Sequence, residues 1–308
     1  MISWRYHLVS IIAVFLALAL GVLTGTTVVN QGLINTLKQR TDAADQKSAE
    51  YRRSLTTTTT ELAHYADAFA QASKQIEASR LSPLNIIIVA DEGADPGALK
   101  QANNALSISG ANVVTTLVPL PSIASTDPGD VKSLAEDVGV PAQTDPSSLP
   151  GLVAAKLAVR IAQGPPPTAH PGAPPDILAN LLLQGYIDST GSGVKVANDI
   201  GVPDAVIVIG GPTEGSPVPP ATFLVPLVKE LSGQNVVVAA GEAHQSADGF
   251  VSLVRSDGAG SGPRVTVDDL EISPGGVALV VGLQRAIDQR AGGDYGTAAG
   301  LQILPPLS

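Results

Sequence analysis

The chain has 308 residues, a net charge of −10, 44% hydrophobic residues, 3% aromatic residues and no cysteine. The lack of cysteine excludes disulfides, thiolate catalysis and cysteine-based metal sites. The acidic balance argues against nucleic-acid binding, which requires a basic face, and so few aromatic residues argue against an outer-membrane β-barrel with aromatic girdles.

An apolar segment at residues 8–29, LVSIIAVFLALALGVLTGTTVV, carries no charged side chain. A helix needs about 20 apolar residues to cross a bilayer, so we predict a transmembrane helix within an N-terminal membrane anchor, residues 1–30. The alternative is a cleaved signal peptide with a cut site at Ala17-Leu18-Ala19. That tripeptide lies inside the apolar run, which is longer than a typical signal segment, and this favours an uncleaved anchor.

The orientation of the anchor depends on few charges. Arg5 precedes the apolar segment, and Lys38 and Arg40 follow it, so the positive-inside rule is nearly balanced. A short N-terminal tail favours a cytoplasmic N-terminus. We therefore expect a single-pass protein of the cell envelope with its C-terminal domain exported.

A seven-residue pattern in residues 31–81 predicts a coiled-coil stalk, because spacings of three and four alternate as a coiled-coil seam requires. We expect the interface at Leu55, Leu62, Tyr65, Phe69 and Ile76. One seam position holds Ile34, Thr41, Ser48, Leu55, Leu62, Phe69 and Ile76, and the other holds Leu37, Ala44, Tyr51, Thr58, Tyr65 and Ala72.

The partner of the stalk is left open between a second copy and a different protein. In a parallel homodimer Arg40 would attract Asp45, whereas Lys47 would repel Arg52. The run of threonines at 56–60 is a weak helix former because β-branching restricts χ1. The alternative is a single helix that folds back onto its own domain.

Residues 82–308 read as one exported α/β domain. Solidly apolar strands that alternate with helices predict a parallel sheet covered on both faces, of Rossmann-like or flavodoxin-like build. Between the two halves, 128–190 is mostly helical and is broken by a Pro-rich loop at 164–176. The strands are LNIIIVADEG, ANVVTTLVPL, DAVIVIGG (204–211) and QNVVVAAGE (234–242), and the helices are DPGALKQANNALSISG, ATFLVPLVKELSG (221–233) and GGVALVVGLQRAID (275–288).

A ligand crevice is conceivable at the strand ends, since ligands of open parallel sheets bind beyond the carboxyl ends of the strands. Asp91, Gly210, Gly211 and Glu242 follow predicted strands and are the candidate residues. The alternative is ordinary turn chemistry, because Gly and Asp end strands in many proteins.

Other chemistry has little support. The sequence contains no GxxxxGK[ST], no GxGxxG after a strand and no GxSxG. Of His7, His64, His170 and His244, only His244, near Glu242, falls in a plausible site. Cu(I) prefers thiolate and thioether ligands. Because the single methionine is Met1, we expect no high-affinity copper site within one chain.

Two stretches resemble one protein family. The N-terminal MISWRYHLVSIIAVFLALALGVLTG is similar to the start of the actinobacterial MctB family. The C-terminal VTVDDLEISPGGVALVVGLQRAIDQRAGGDYGT resembles its closing segment, in which a VDD tract leads through a glycine to an apolar helix and a final YGT. The order of anchor, coiled coil and α/β domain also agrees.

The resemblance implies a cell-envelope protein linked to copper efflux or tolerance, for which an outer-membrane channel role has been proposed. SteB-like corynebacterial relatives are linked instead to cell separation and work with a second membrane protein through the coiled coil. The resemblance implies no catalytic residues, and copper is the only ligand it suggests. Our first hypothesis is thus a non-enzymatic envelope protein; the alternatives are a component of a copper-conducting assembly and a small-ligand sensor or enzyme.

Overall fold

The computed structural model describes residues 4–141, 144–166, 176–189, 197, 200–212, 216–244, 248–258 and 262–307. The chain divides into two compact units, Met1–Ala66 and Asp67–Ser308. The second unit holds the sheet and is called the head below.

One helix, α1 (Trp4–Glu77), includes both the predicted anchor and most of the predicted stalk. Its threonine-rich part is helical, and threonine hydroxyls in this part bond to carbonyls one turn earlier in the helix. Thr56 Oγ1 donates to the Arg52 carbonyl at 2.9 Å, and Thr60 Oγ1 donates to the Thr56 carbonyl at 2.8 Å. Such bonds satisfy hydroxyls that would otherwise compete with helical backbone bonds.

The head contains a seven-stranded sheet in the order β3-β2-β1-β4-β5-β6-β7. All neighbouring pairs are parallel except β2–β3. The order from β3 to β6 is that of the doubly wound Rossmann fold. The strands are β1 (Asn85–Ala90), β2 (Asn112–Pro119), β3 (Ile187–Ser189), β4 (Ala205–Ile209), β5 (Val237–Gly241), β6 (Arg264–Val267) and β7 (Gly293–Tyr295).

Helices cover the sheet, and some of them begin at aspartate caps. Asp95 and Asp127 precede prolines, and their carboxylates accept N–H bonds at 3.0 Å and 2.8 Å, as N-caps do. The helices described in the head are α2 (Pro96–Ile108), α3 (Pro128–Val138), α4 (Leu149–Gln163), α5 (Ile177–Leu183), α6 (Leu224–Gly233), α7 (Phe250–Ser256) and α8 (Ser273–Gln289), with a 3₁₀ helix at Pro121–Ala124.

The hydrophobic core has two layers, one on each face of the sheet. Ile87 and Val89 of β1 belong to one buried cluster, and Ile86 and Ile88 belong to the other. Alternate residues of one strand thus enter opposite layers, which explains why the central strands are apolar throughout. The predicted α/β class is confirmed, and the sheet that was predicted to be parallel is parallel except at the short edge strand β3.

The short elements differ from the sequence prediction. The four predicted strands correspond to β1, β2, β4 and β5, and the predicted last helix is α8. The prediction missed β3, β6, β7 and α7, because three- and four-residue strands and a seven-residue helix show too little periodicity. Most of the Pro-rich loop, 167–175, lies outside the described residues.

Candidate functional site

The carboxyl ends of β1, β4 and β5 lie side by side because these strands are neighbours in the sheet. The register pairs the last residue of β1 with Ile209, and Ile209 with the last residue of β5. The residues that follow, Asp91, Gly210 and Glu242, therefore lie along one edge. β1 lies between β2 and β4, so Asp91 and Gly210 flank the point at which doubly wound proteins bind ligands.

The space beside the glycines of this edge is filled by the chain's own side chains. A Cβ on Gly210 would collide with the Phe250 side chain of α7. A Cβ on Gly211 would lie 2.7 Å from Asp91 Oδ2, and one on Gly241 would lie 2.6 Å from Leu270 Cδ2. These contacts favour the interpretation of the glycines as packing and turn residues.

Asp91 is buried and binds the loop that follows β4. Ser216 Oγ lies 3.0 Å from Asp91 Oδ2 and 3.3 Å from Oδ1, and it also lies 2.9 Å from the Val218 carbonyl. A carboxylate that accepts from a neighbouring hydroxyl is stabilised in place. Asp91 therefore connects two strand ends of the head.

Glu242 is a buried carboxyl group beside the start of α7. Its Oε2 accepts the Val251 N–H at 3.0 Å, whereas Oε1 has no hydrogen-bond partner among the described residues. Burial raises the pKa of Glu242 to about 7, although the Val251 N–H and Arg255 act in the opposite direction. The protonation of Glu242 thus changes near neutral pH.

A partly buried ionic network lies at the next strand ends, and the sequence hypotheses did not include it. Arg255 Nη1 donates to Asp268 Oδ2 at 3.0 Å, and Arg255 Nε donates to Thr266 Oγ1 at 2.8 Å. Thr266 Oγ1 in turn lies 2.7 Å from Asp294 Oδ1. The network joins α7 to β6 and β7, since each of these elements supplies one of its members.

The same network explains why the C-terminal VDD and YGT motifs occur together. The Thr297 N–H donates to Asp268 Oδ1 at 2.7 Å, and Thr297 Oγ1 bonds Asp269 Oδ2. Gly296 has φ 141°, and the Asp268 carboxylate occupies the place of a Cβ on that residue. Glycine is required there both for the backbone conformation and for the close approach. The motif pair is therefore a structural clasp.

The histidines do not converge on a metal site in the described structure. His244 Nδ1 lies 3.0 Å from Glu271 Oε1, and the His244 side chain is largely exposed. His7 and His64 lie on α1, and His170 is outside the described residues. Among the described residues, no group of three or more His, Cys, Asp and Glu side chains could hold a metal ion.

A cavity of about 700 Å³ lies between the ends of α3 and α4 and the start of α5. Its Arg160 is buried and donates to Asp176 Oδ1 and Oδ2, at 2.8 Å each, and to the Ala197 carbonyl at 2.8 Å. The guanidinium thus connects α4 to Asp176 and to the Ala197 carbonyl, because a buried charge is unfavourable without such partners.

The predicted coiled-coil residues differ in exposure. Leu55, Leu62 and Tyr65 are 67%, 63% and 74% exposed. Phe69 and Ile76 are half-buried within the head. The alternative of a helix that packs on its own domain therefore applies to the last turns of α1, while the seam up to Tyr65 presents apolar side chains that could pair with a partner.

One helix among the described residues is long and apolar enough to span a membrane, and its candidate span is Trp4–Gly25. The span begins closer to the N-terminus than the predicted segment 8–29 and ends at Gly25. Its length of 22 residues suffices to cross the hydrocarbon core of a bilayer.

Comparison with known proteins agrees with the layout described above. Residues 1–306 match the family model described as "Copper transport outer membrane protein, MctB". The "Copper transporter MctB" proteins of Mycobacterium bovis and Mycobacterium tuberculosis are each 25% identical over 317 residues, covering 97% of this chain and 98% of theirs. The match spans both units, and the chain therefore belongs to the MctB family of copper transport outer membrane proteins.

Proposed function

We propose that this chain is a membrane-anchored, non-enzymatic protein of the cell envelope that assembles through α1 and acts in copper homeostasis or efflux. We infer the assembly from large apolar side chains that are exposed at seam positions outside the head, such as those of Leu55 and Leu62. The copper role rests on the names of the family and of the mycobacterial relatives. The alternative to the copper role is that the same assembly acts in envelope and cell-division control.

The non-enzymatic role is supported by the state of the carboxyl groups at the sheet edge. Asp91 accepts from Ser216, and Asp268 accepts from Arg255 and the Thr297 N–H. Catalytic acids and bases need access to a reacting group. Here Asp91, Glu242 and Asp268 are all buried among the chain's own groups.

The proposed topology places the N-terminus in the cytoplasm and the head outside the membrane. The candidate span supports an uncleaved anchor, because it continues without a break into the rest of α1. The family description as an outer-membrane protein supports the envelope as the location.

The copper effect is proposed to be indirect, or to use a site shared between chains. Copper sites require several converging ligands, with thiolate or thioether for Cu(I). The sequence has no cysteine and one methionine, Met1, and the described residues contain no group of three potential ligands. Transport by this family would then need the assembled protein or a partner.

Substitution of Leu62→Asp tests the assembly directly. A charge in the middle of an apolar seam disfavours helix pairing, so we expect the variant to lose the oligomer of the wild-type full chain in detergent micelles. Sedimentation velocity at matched detergent concentration measures the change. We expect the complex to dissociate into single chains.

Thr60→Asp is the matched control, because residue 60 lies on the opposite side of the seven-residue pattern and is exposed. It introduces the same charge two residues away, and the sedimentation profile should stay that of the wild type. An unchanged profile for Leu62→Asp would refute assembly through the seam.

The second candidate function is a copper-conducting assembly, which the printed name of the relatives, "Copper transporter MctB", favours. With one candidate span in the described part of the chain, a pore would need several copies. Planar-bilayer recordings discriminate the two functions: copper-dependent conductance that Leu62→Asp abolishes supports the channel, and silence at high protein load contradicts it.

A further inference from the structure

The last two turns of α1 present a partly polar face to the rest of the head. Ser73 and Glu77 are 4% and 1% exposed, and they lie on one side of the helix because they are four residues apart. Phe69 and Ile76 are half-buried beside them. These residues all belong to the unit Asp67–Ser308. The buried side of the helix end thus includes a carboxyl group.

The carboxyl group of Glu77 lies where α1, α2 and α8 meet. A Cβ on Gly276 of α8 would be 3.4 Å from Glu77 Oε1, 2.6 Å from Gln101 Nε2 and 3.3 Å from Ala105 Cβ. The Gln101 amide therefore occupies the space that the missing side chain of Gly276 leaves, and Glu77 Oε1 lies at contact distance from that space. Glu77 Oε1 is buried without a hydrogen-bond partner among the described residues.

No cation neutralises Glu77 among the described ion pairs. On its own segment Lys74 is exposed, and Arg80 bonds the Ile76 carbonyl and donates to Gln284 Oε1 at 2.6 Å. Arg80 is therefore already engaged with α8 and with the last turn of α1.

The other packed elements supply neutral or distant groups. On α2 the neutral amide of Gln101 lies beside the same Gly276 position, and the neighbouring Lys100 is exposed. On α8, Arg285 lies about two and a half turns beyond Gly276. Burial accordingly raises the pKa of Glu77 from its ordinary value of 4.5 to about 7, with no charged group as a cause.

We propose that Glu77 is a proton-dependent latch, whose neutral form holds the last two turns of α1 on α2 and α8 and whose ionised form releases them. An ionised carboxylate without a partner is unfavourable in a buried site and is stabilised by water once the helix end separates. The latch does not require assembly. If α1 assembles as proposed above, release also frees Phe69 and Ile76 to extend the seam.

The direction of the effect follows from the raised pKa of Glu77. The docked helix end binds the proton more tightly than the released one, so docking is fully favoured below pH 4.5 and weakens as the pH rises towards 7. Between pH 6 and pH 8 the docking equilibrium should fall by about tenfold and then stay constant.

Hydrogen exchange of the full chain in detergent micelles tests the latch. We expect the amides of residues 67–84, corrected for the intrinsic pH dependence of exchange, to lose about tenfold in protection between pH 6 and pH 8. Glu77→Gln should show the same protection at pH 6 and at pH 8, at or above that of the wild type at pH 6, because the amide cannot ionise. Glu61→Gln, on the exposed part of α1, should keep the wild-type profile.

Two further variants make the outcome unambiguous. Glu242→Gln removes the other carboxyl group with a pKa of about 7 and should leave the response of residues 67–84 in place. Leu62→Asp repeats the measurement without the proposed assembly. A flat wild-type profile, or an equal loss of protection in Glu77→Gln, would overturn the latch whatever the state of assembly.

Discussion

Buried carboxyl groups in the head fall into two kinds. Asp268 accepts bonds from Arg255 and from the Thr297 N–H, so both of its oxygens are occupied. Glu77 and Glu242 each leave one oxygen without a partner in the described structure, and burial raises the pKa of both to about 7. A buried charge is stable only when paired. Burial raises the pKa of Asp268 as well, but Arg255 and the Thr297 N–H oppose that rise. Asp268 is therefore a structural link, whereas Glu77 and Glu242 change protonation near neutral pH.

Substitution of Asp268→Asn should destabilise the head strongly. It leaves the Arg255 guanidinium without its buried counter-charge, and removing one partner of a buried pair costs about 3–5 kcal/mol. We expect a loss of about 3 kcal/mol in the free energy of unfolding. Pulse proteolysis of the full chain across a urea series measures this loss.

Asp257→Asn is the control for that substitution. Asp257 lies 3.0 Å from Lys229 Nζ in an exposed pair, and surface pairs contribute about 0–1 kcal/mol. Equal stability losses for the two variants would contradict the structural role of Asp268.

At the scale of elements, the position of α7 on the sheet depends on Gly210, because the lack of a side chain there lets the start of α7 approach the end of β4. Phe250 is the first residue of α7, and its side chain occupies the space that a Cβ on Gly210 would need at the end of β4. Arg255, near the other end of α7, reaches Thr266 of β6. A helix of only seven residues has little stability alone, so these tertiary contacts determine its position.

Gly210→Ala should displace α7 from the sheet. The added methyl group collides with Phe250, and overpacking of this kind costs about 1–3 kcal/mol. Urea unfolding followed by circular dichroism measures the loss.

Gly233→Ala provides the comparison, because a Cβ at the end of α6 meets nothing within 4 Å. That change should be neutral or stabilising by up to about 1 kcal/mol. A Gly210→Ala variant as stable as wild type would show that Phe250 can move without cost.

The whole molecule combines a candidate membrane span, an exposed seam and a head whose carboxyl groups at the sheet edge, Asp91, Glu242 and Asp268, are buried. The match to the MctB family covers residues 1–306, so the family role belongs to the complete arrangement. The sequence has no cysteine and one methionine, and the described part of the chain contains no group of three potential metal ligands. These observations favour the proposal that copper chemistry depends on how chains assemble.

A copper titration of the purified full chain separates direct from indirect action. We expect no stoichiometric competition with a chromophoric Cu(I) chelator, because the sequence has no cysteine and its single methionine is Met1. With Cu(II) we expect weak binding at most, at the exposed His244–Glu271 pair.

His244→Ala should remove that weak Cu(II) binding, and His64→Ala, on α1, should leave it unchanged. Competition for Cu(I) at a fixed stoichiometry would contradict the indirect role and would place a site between chains. Leu62→Asp would then show whether that site requires the seam.

Local patterns in the sequence determined the features that depend on neighbouring residues. The uncharged apolar run required a membrane or export role, Asp95-Pro96 marked the start of α2, and the apolar runs of β1, β4 and β5 predicted a parallel sheet. Periodicity carries this information because it reports which faces of a helix or strand avoid water. The coiled coil is the part of that prediction that awaits the sedimentation experiment.

Only the tertiary structure decided which distant residues meet. Asp268 and Thr297 are 29 residues apart and join as a clasp, Phe250 fills the space at Gly210, and β3 and β7 exist because neighbouring strands bond them. In the sequence, Glu77 is an ordinary polar residue of the predicted stalk. In the structure, it is buried near Gly276. Burial and contacts between distant residues shift a pKa or create a network. A local sequence pattern cannot predict these effects, because it does not show which distant residues meet.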